Sequence, residues 1–168
     1  MEPVVVVNVL GFCRAGVGGY DVWAPGAPTA LLRRERVLGG STINRMNFQA
    51  VLDCLQFLAS DEQHSSSTTS GDDVATMLEL RIGCFAVAGL LAGDIPRRRP
   101  HVRDMCDRIA ALALELAPRY PVVRFVYARG LDPPRTLVGH GRPEKKKAKQ
   151  QTSVVVECSS KEEEDKKA

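Results

Sequence analysis

Asn8-Val9-Leu10-Gly11-Phe12-Cys13-Arg14-Ala15-Gly16-Val17-Gly18-Gly19-Tyr20 is the stretch that decides the fold of this chain. It is entered from Val4 to Leu10, a β-branched run with no polar alternation, which predicts a strand covered on both faces. Gly11 to Gly19 predicts a glycine-bearing turn, and Tyr20-Asp21-Val22-Trp23 predicts a second strand, broken by Pro25-Gly26-Ala27-Pro28. A mid-strand asparagine among valines needs a partner, because an unpaired buried amide costs about 1–3 kcal/mol.

Further along, Ala30 to Leu38 predicts a third strand that alternates near its end (Arg34, Glu35, Arg36, Val37) and suits an edge. Gly39-Gly40-Ser41-Thr42 precedes a helix whose Phe48, Val51, Leu52, Leu55, Leu58 and Ala59 recur at three- and four-residue spacing. Thr76 to Ile82 predicts a fourth strand, and Cys84 to Ala92 a short apolar helix ended by Gly93. Pro96 to Pro100 is a break carrying three arginines. His101 to Ala117 predicts an amphipathic helix with Val102, Met105, Ile109, Leu112 and Leu116 inward, stopped by Pro118, and Val122 to Tyr127 a fifth strand. Three meandering strands followed by alternating helices and strands imply an α/β fold: a mixed sheet with helices on its faces.

The chain has 168 residues, 44% apolar and 26% charged, the size of one domain plus a tail. Residues 1–140 hold fifteen arginines, no lysine and fourteen acids; residues 141–168 hold one arginine, seven lysines and six acids. The body, 1–140, is therefore near neutral. The tail, 141–168, with Lys145-Lys146-Lys147-Ala148-Lys149 ahead of Glu162-Glu163-Glu164-Asp165, is expected to be disordered, as is a serine-rich internal loop at 60–73. No apolar run reaches the roughly 20 residues of a membrane span. No basic n-region or Arg/Ser-rich presequence follows Met1-Glu2-Pro3, so the expected location is cytoplasmic or nuclear. The five cysteines include no C-x-x-C pair, which argues against a disulfide framework or a zinc site. No phosphate loop is present, and His64, His101 and His140 read as surface residues rather than catalytic bases.

Two segments carry a family resemblance. Asn8 to Tyr20, closing in Gly-Val-Gly-Gly-Tyr, resembles the first strand and turn of the ribonuclease H family, which opens this segment with an aspartate. Thr42-Ile43-Asn44-Arg45-Met46-Asn47-Phe48-Gln49-Ala50 resembles that family's helix opening, Thr-Asn-Asn-Arg-Met-Glu-Leu-x-Ala. The element order fits over residues 4–128. The resemblance implies a ribonuclease H-like fold: a five-stranded mixed sheet, three antiparallel N-terminal strands then parallel ones, with helices on both faces.

The same resemblance locates the departures. Family members cut the RNA strand of an RNA–DNA hybrid with two magnesium ions held by acidic residues, which supply both charge and oxygen ligands. The family's first aspartate falls on Asn8, its glutamate on Asn47 and its next aspartate on Gly83. Its last acid falls nearest Thr136, where Asp132-Pro133-Pro134 opposes a helix. Glu79, Asp21 and Asp53 are too remote to rebuild the site; Glu79 is roughly 13 Å along the strand from Gly83. Asn8 and Asn47 are expected to hydrogen-bond each other or a neighbouring backbone.

The expected function is therefore not enzymatic. It is a catalytically inactive ribonuclease H-like module, without metal or cofactor, that binds RNA or an RNA–DNA hybrid or acts architecturally in a larger ribonucleoprotein complex with protein partners. By resemblance Asn44 and Arg45 would contact nucleic acid, and Arg97, Arg98, Arg99 and Arg103 stand where the family carries a basic insertion. A solvated loop with Asp94 and Asp104 as partners is the plainer account of that run. Two alternatives stay open: a divergent metal-dependent ribonuclease H with a relocated site, and a pure protein–protein scaffold.

Overall fold

Val7, Val9, Val22, Leu78, Leu80 and Ile82 are fully buried, and they define one face of a sheet. The computed structural model describes residues 4–37, 39–61 and 75–134; Ser60 and Asp61 of the expected serine loop end α1, and the rest of that loop, Thr136, His64, His140 and the charged tail lie outside the described residues. The elements run β1 (Val4–Arg14), β2 (Val17–Trp23), β3 (Leu32–Val37), α1 (Ile43–Asp61), β4 (Met77–Ile82), α2 (Phe85–Ala92), α3 (Pro100–Glu115) and β5 (Val122–Tyr127). The sheet order is β3-β2-β1-β4-β5. β1, β2 and β3 pair antiparallel, while β4 joins β1, and β5 joins β4, in parallel. This is the mixed sheet that the order of elements implied, in the five-stranded arrangement expected from the family resemblance.

Cross-strand neighbours share a face. Val7, Val9 and Gly11 of β1 therefore look the same way as Tyr20, Val22, Leu80 and Ile82, whereas Asn8, Asp21, Trp23, Glu79 and Arg81 look the other way. α1 covers the first face with Phe48, Val51, Leu52 and Leu55; α3 packs on α1, and α2 packs on β4 and β5. Leu58, Ala59, Val102, Met105 and Leu112 join the rim of this core, while Ile109 and Leu116 enter it fully. Among the described residues the three helices share that face. The chain after β5, where a helix would cover the other, is irregular at Leu131–Pro134, as two consecutive prolines dictate.

The opening segment is built differently from its composition. Gly11, Gly18 and Gly19 lie inside strands rather than in a turn, and the reversal is the two-residue Ala15-Gly16, both at positive φ (51° and 75°). The other glycines are there for approach. A Cβ on Gly11 would fall 2.5 Å from the backbone nitrogen of Asn47, and one on Gly18 would fall 2.6 Å from Met46 Sδ. The start of α1 therefore lies directly on the β1–β2 hairpin. Both-face coverage of β1 holds only at Val7, Asn8 and Val9, since Val4 is exposed and Val5 and Val6 are half-buried. No helix among the described residues is long and apolar enough to cross a membrane.

Candidate functional site

The hairpin, the start of α1 and the end of β4 meet, and they carry three of the four positions singled out by the resemblance. Asn47, 1% exposed, bridges α1 to β1: its Oδ1 accepts the Gly11 N–H at 3.0 Å, and its Nδ2 donates to Gly11 O at 3.4 Å and Ile43 O at 2.8 Å. Gly83 donates its N–H to Val9 O at 2.9 Å. Next to it, Cys84 Sγ donates to Asn44 Oδ1 at 3.2 Å, which ties the start of α2 to the start of α1.

Asn8 is the exception. It lies on the sheet face away from α1, opposite Trp23 on β2 and Arg81 on β4. Its side chain is buried, and Oδ1 accepts no hydrogen bond from any described residue. Of the two arrangements expected for the asparagines, bonding each other or bonding neighbouring backbone, the second holds for Asn47, and Asn8 Oδ1 shows neither. The pleat of β1 turns Asn8 to the face away from α1, while Asn47, brought down by α1 on the other face, bonds the Gly11 backbone. Thr136 lies outside the described residues.

The acids considered as substitutes are each engaged elsewhere. Asp21 pairs with Arg33, whose guanidinium also donates to Pro134 O at 2.9 Å. Asp53 accepts from the Tyr20 hydroxyl and, at 2.6 Å, from Gln49 Nε2. Burial, and then the Asp53 hydrogen bond, hold the Tyr20 hydroxyl protonated well above its ordinary range. Glu79 pairs with Arg81 at 2.8 Å and Arg124 at 3.9 Å. Among the described residues no three His, Cys, Asp or Glu side chains cluster as metal ligands. Where the family holds magnesium, the described positions offer one free amide oxygen on Asn8, one already bonded on Asn47, and no side chain on Gly83. That neutral set does not fit a pair of doubly charged cations.

The two groups of proposed nucleic-acid residues separate in kind. Asn44 and Arg45 are exposed at the first turn of α1; Arg45 N–H donates to Thr42 Oγ1 at 3.2 Å and its guanidinium to Gly39 O at 3.1 Å. Arg97 is structural: Nε donates to Leu90 O at 3.0 Å, and the guanidinium pairs with Asp107 at 3.7 Å, not with Asp94 or Asp104. Arg98, Arg99 and Arg103 are exposed, Arg99 at the N-cap of α3. No hydrogen bond or ion pair among the described residues links this run to Asn44 or Arg45. Two surface features escaped the sequence pattern. One is the exposed ring of Phe85, which reads as core in an apolar helix. The other is a bulge in β3 that sets Glu35 and Arg36 opposite Gly19, with Arg36 at φ 56°.

No protein-family model matches the chain, and no curated protein matches it. Solved structures do. The N-terminal RNase H domain of a Mycobacterium tuberculosis protein, solved as a fusion with maltose-binding protein, is 17% identical with a TM-score of 0.53, over 77% of this chain and 84% of that one. RNase H1 from the archaeon Halobacterium salinarum is 17% identical with a TM-score of 0.51, over 76% of this chain and 86% of that one. A compost-derived RNase H1 isolated by a metagenomic approach is 18% identical with a TM-score of 0.53, over 77% and 86%. At such identities the likeness is one of fold.

Proposed function

We propose, from an RNase H-like fold with a neutral set of side chains at its acidic positions, that this chain binds RNA or an RNA–DNA hybrid without cutting it. The Asn47–Gly11 bridge carries this reading. The side chain that would hold a metal has become a three-bonded brace between α1 and β1, with its oxygen spent on a backbone N–H. A fold so braced keeps its surface while its metal chemistry is gone. Asn44 and Arg45 present an amide and a guanidinium to a sugar–phosphate backbone, and Arg98, Arg99 and Arg103 add phosphate contacts. The near-neutral body supports modest affinity, and hence action as a subunit of a larger ribonucleoprotein with protein partners. We place the domain boundary near residue 140, with the charged tail as a separate segment.

Fluorescence anisotropy with a labelled 18-base-pair RNA–DNA hybrid tests the reading. Arg45→Ala with Asn44→Ala should weaken binding about tenfold, and the Arg45 change alone should reduce the slope of log affinity against log salt by about 0.7–0.9. Wild-type protein with no affinity for hybrid or RNA at low salt would refute the reading.

A further inference from the structure

Phe85, the first residue of α2, is 66% exposed, and Tyr127, the last residue of β5, is 42% exposed. An apolar ring left in water is the informative exception to ordinary burial. The two rings meet edge to face, with centroids 5.5 Å apart and planes at 89°. That contact engages one face of one ring and leaves stacking surface free.

The position of the pair is fixed from three sides. β4 and β5 are parallel, with Ile82 beside Tyr127, so both rings stand at the carboxyl end of the strands, where open α/β sheets collect ligands. Ala128 N–H donates to Ile82 O at 3.0 Å and locks the end of β5 to β4. Cys84 Sγ bonds Asn44 Oδ1, which puts Phe85 one residue from a tie to the start of α1. Arg45 follows Asn44, with its guanidinium held by Gly39 O, and Arg129 follows Tyr127 by two residues; both residues are exposed. The rings carry no charge, so what they add to the affinity does not come from counterion release.

We propose that Phe85 and Tyr127 form a stacking platform for an unpaired base of a bound RNA strand. The proposal rests on the nucleic-acid reading above and adds a base contact to it. Every base has a π-face, so such a platform tolerates sequence.

The test is anisotropy with a 12-nucleotide oligo-uridine RNA, using wild type, Phe85→Trp, Phe85→Leu and Phe85→Ala. Circular dichroism checks that each variant is folded, and Leu keeps apolar bulk should Ala perturb α2. Phe85→Leu and Phe85→Ala should weaken binding about tenfold with an unchanged salt slope, while Phe85→Trp keeps it. If wild type binds and Phe85→Leu binds equally well, the platform is refuted and the nucleic-acid reading stands; an apolar protein partner would then fit the patch better. If wild type binds neither oligo-uridine nor hybrid, both fall together.

Discussion

On the α1 side of the sheet Asn47 makes three hydrogen bonds, two of them to Gly11; on the other side the buried Oδ1 of Asn8 has no donor. Both stand where the resemblance places an acid. The difference lies in what covers each face. α1 brings a side chain down onto a strand whose glycine lets it approach, so an amide becomes a brace. The other face is crossed near its end by irregular chain, from which Pro134 O reaches Arg33, and nothing described there serves Asn8. An amide is thus built into the architecture on one face and left without a donor on the other.

Breaking the braced side should cost most. Gly11→Ala drives a Cβ to 2.5 Å from the Asn47 backbone nitrogen, which cannot yield without moving α1. We expect a loss of about 3 kcal/mol, at the top of the overpacking range, read by urea unfolding. Gly83→Ala is the control: its Cβ meets Leu10 Cδ1 at 2.5 Å, the far end of a flexible side chain, and should cost well under half as much. Equal losses would remove the claim that the hairpin glycines serve the approach of α1.

Asn47→Ala, which strands the Gly11 N–H, should lose about 2 kcal/mol by the same measurement. Asn8→Val removes an unpaired acceptor from an apolar strand and should leave stability unchanged or raise it by about 1 kcal/mol. If Asn8→Val were as destabilising as Asn47→Ala, the two faces would not differ as argued.

The smallest effect is in the thiols. Burial pushes the Cys54 thiol on α1 up to about 12 from 9.0. The folded state thus keeps a proton that the unfolded chain sheds, so the contribution of Cys54 to stability is present below about pH 9 and is lost as pH climbs towards 12. With a thiol reagent at pH 8, Cys54 and Cys106 should stay unlabelled in native protein while half-buried Cys84 and Cys13 react. Labelling of Cys54 at the rate of Cys84 would contradict the packing of α1.

The fold was legible because its signals are local. Valine runs, three- and four-residue apolar spacing and Gly93 at φ 90° ending α2 each act within a few residues, whereas Pro100, read as part of a break, opens α3. The glycine segment misled in part, because composition marks a turn whether a glycine supplies positive φ or clearance. Only Gly16 supplies the first; Gly11 and Gly18 supply the second, against a helix that starts more than twenty residues later. The site was legible as identities and not as contacts. Asn47 and Gly11 are 36 residues apart, and the face on which Asn8 ends is set by strand pairing. The role of Arg97 depended on the carbonyl of Leu90 and on Asp107 one face along α3, neither of which charge counting selects.

The central claim is a surface retained without its cut. A labelled RNA–DNA hybrid incubated with protein in magnesium, and then in manganese, under conditions where anisotropy shows it bound, tests this most directly. The account predicts hybrid that is bound and intact after hours with either metal. Metal-dependent cleavage that disappears on changing Asp21, Asp53 or Glu79 to alanine would contradict it.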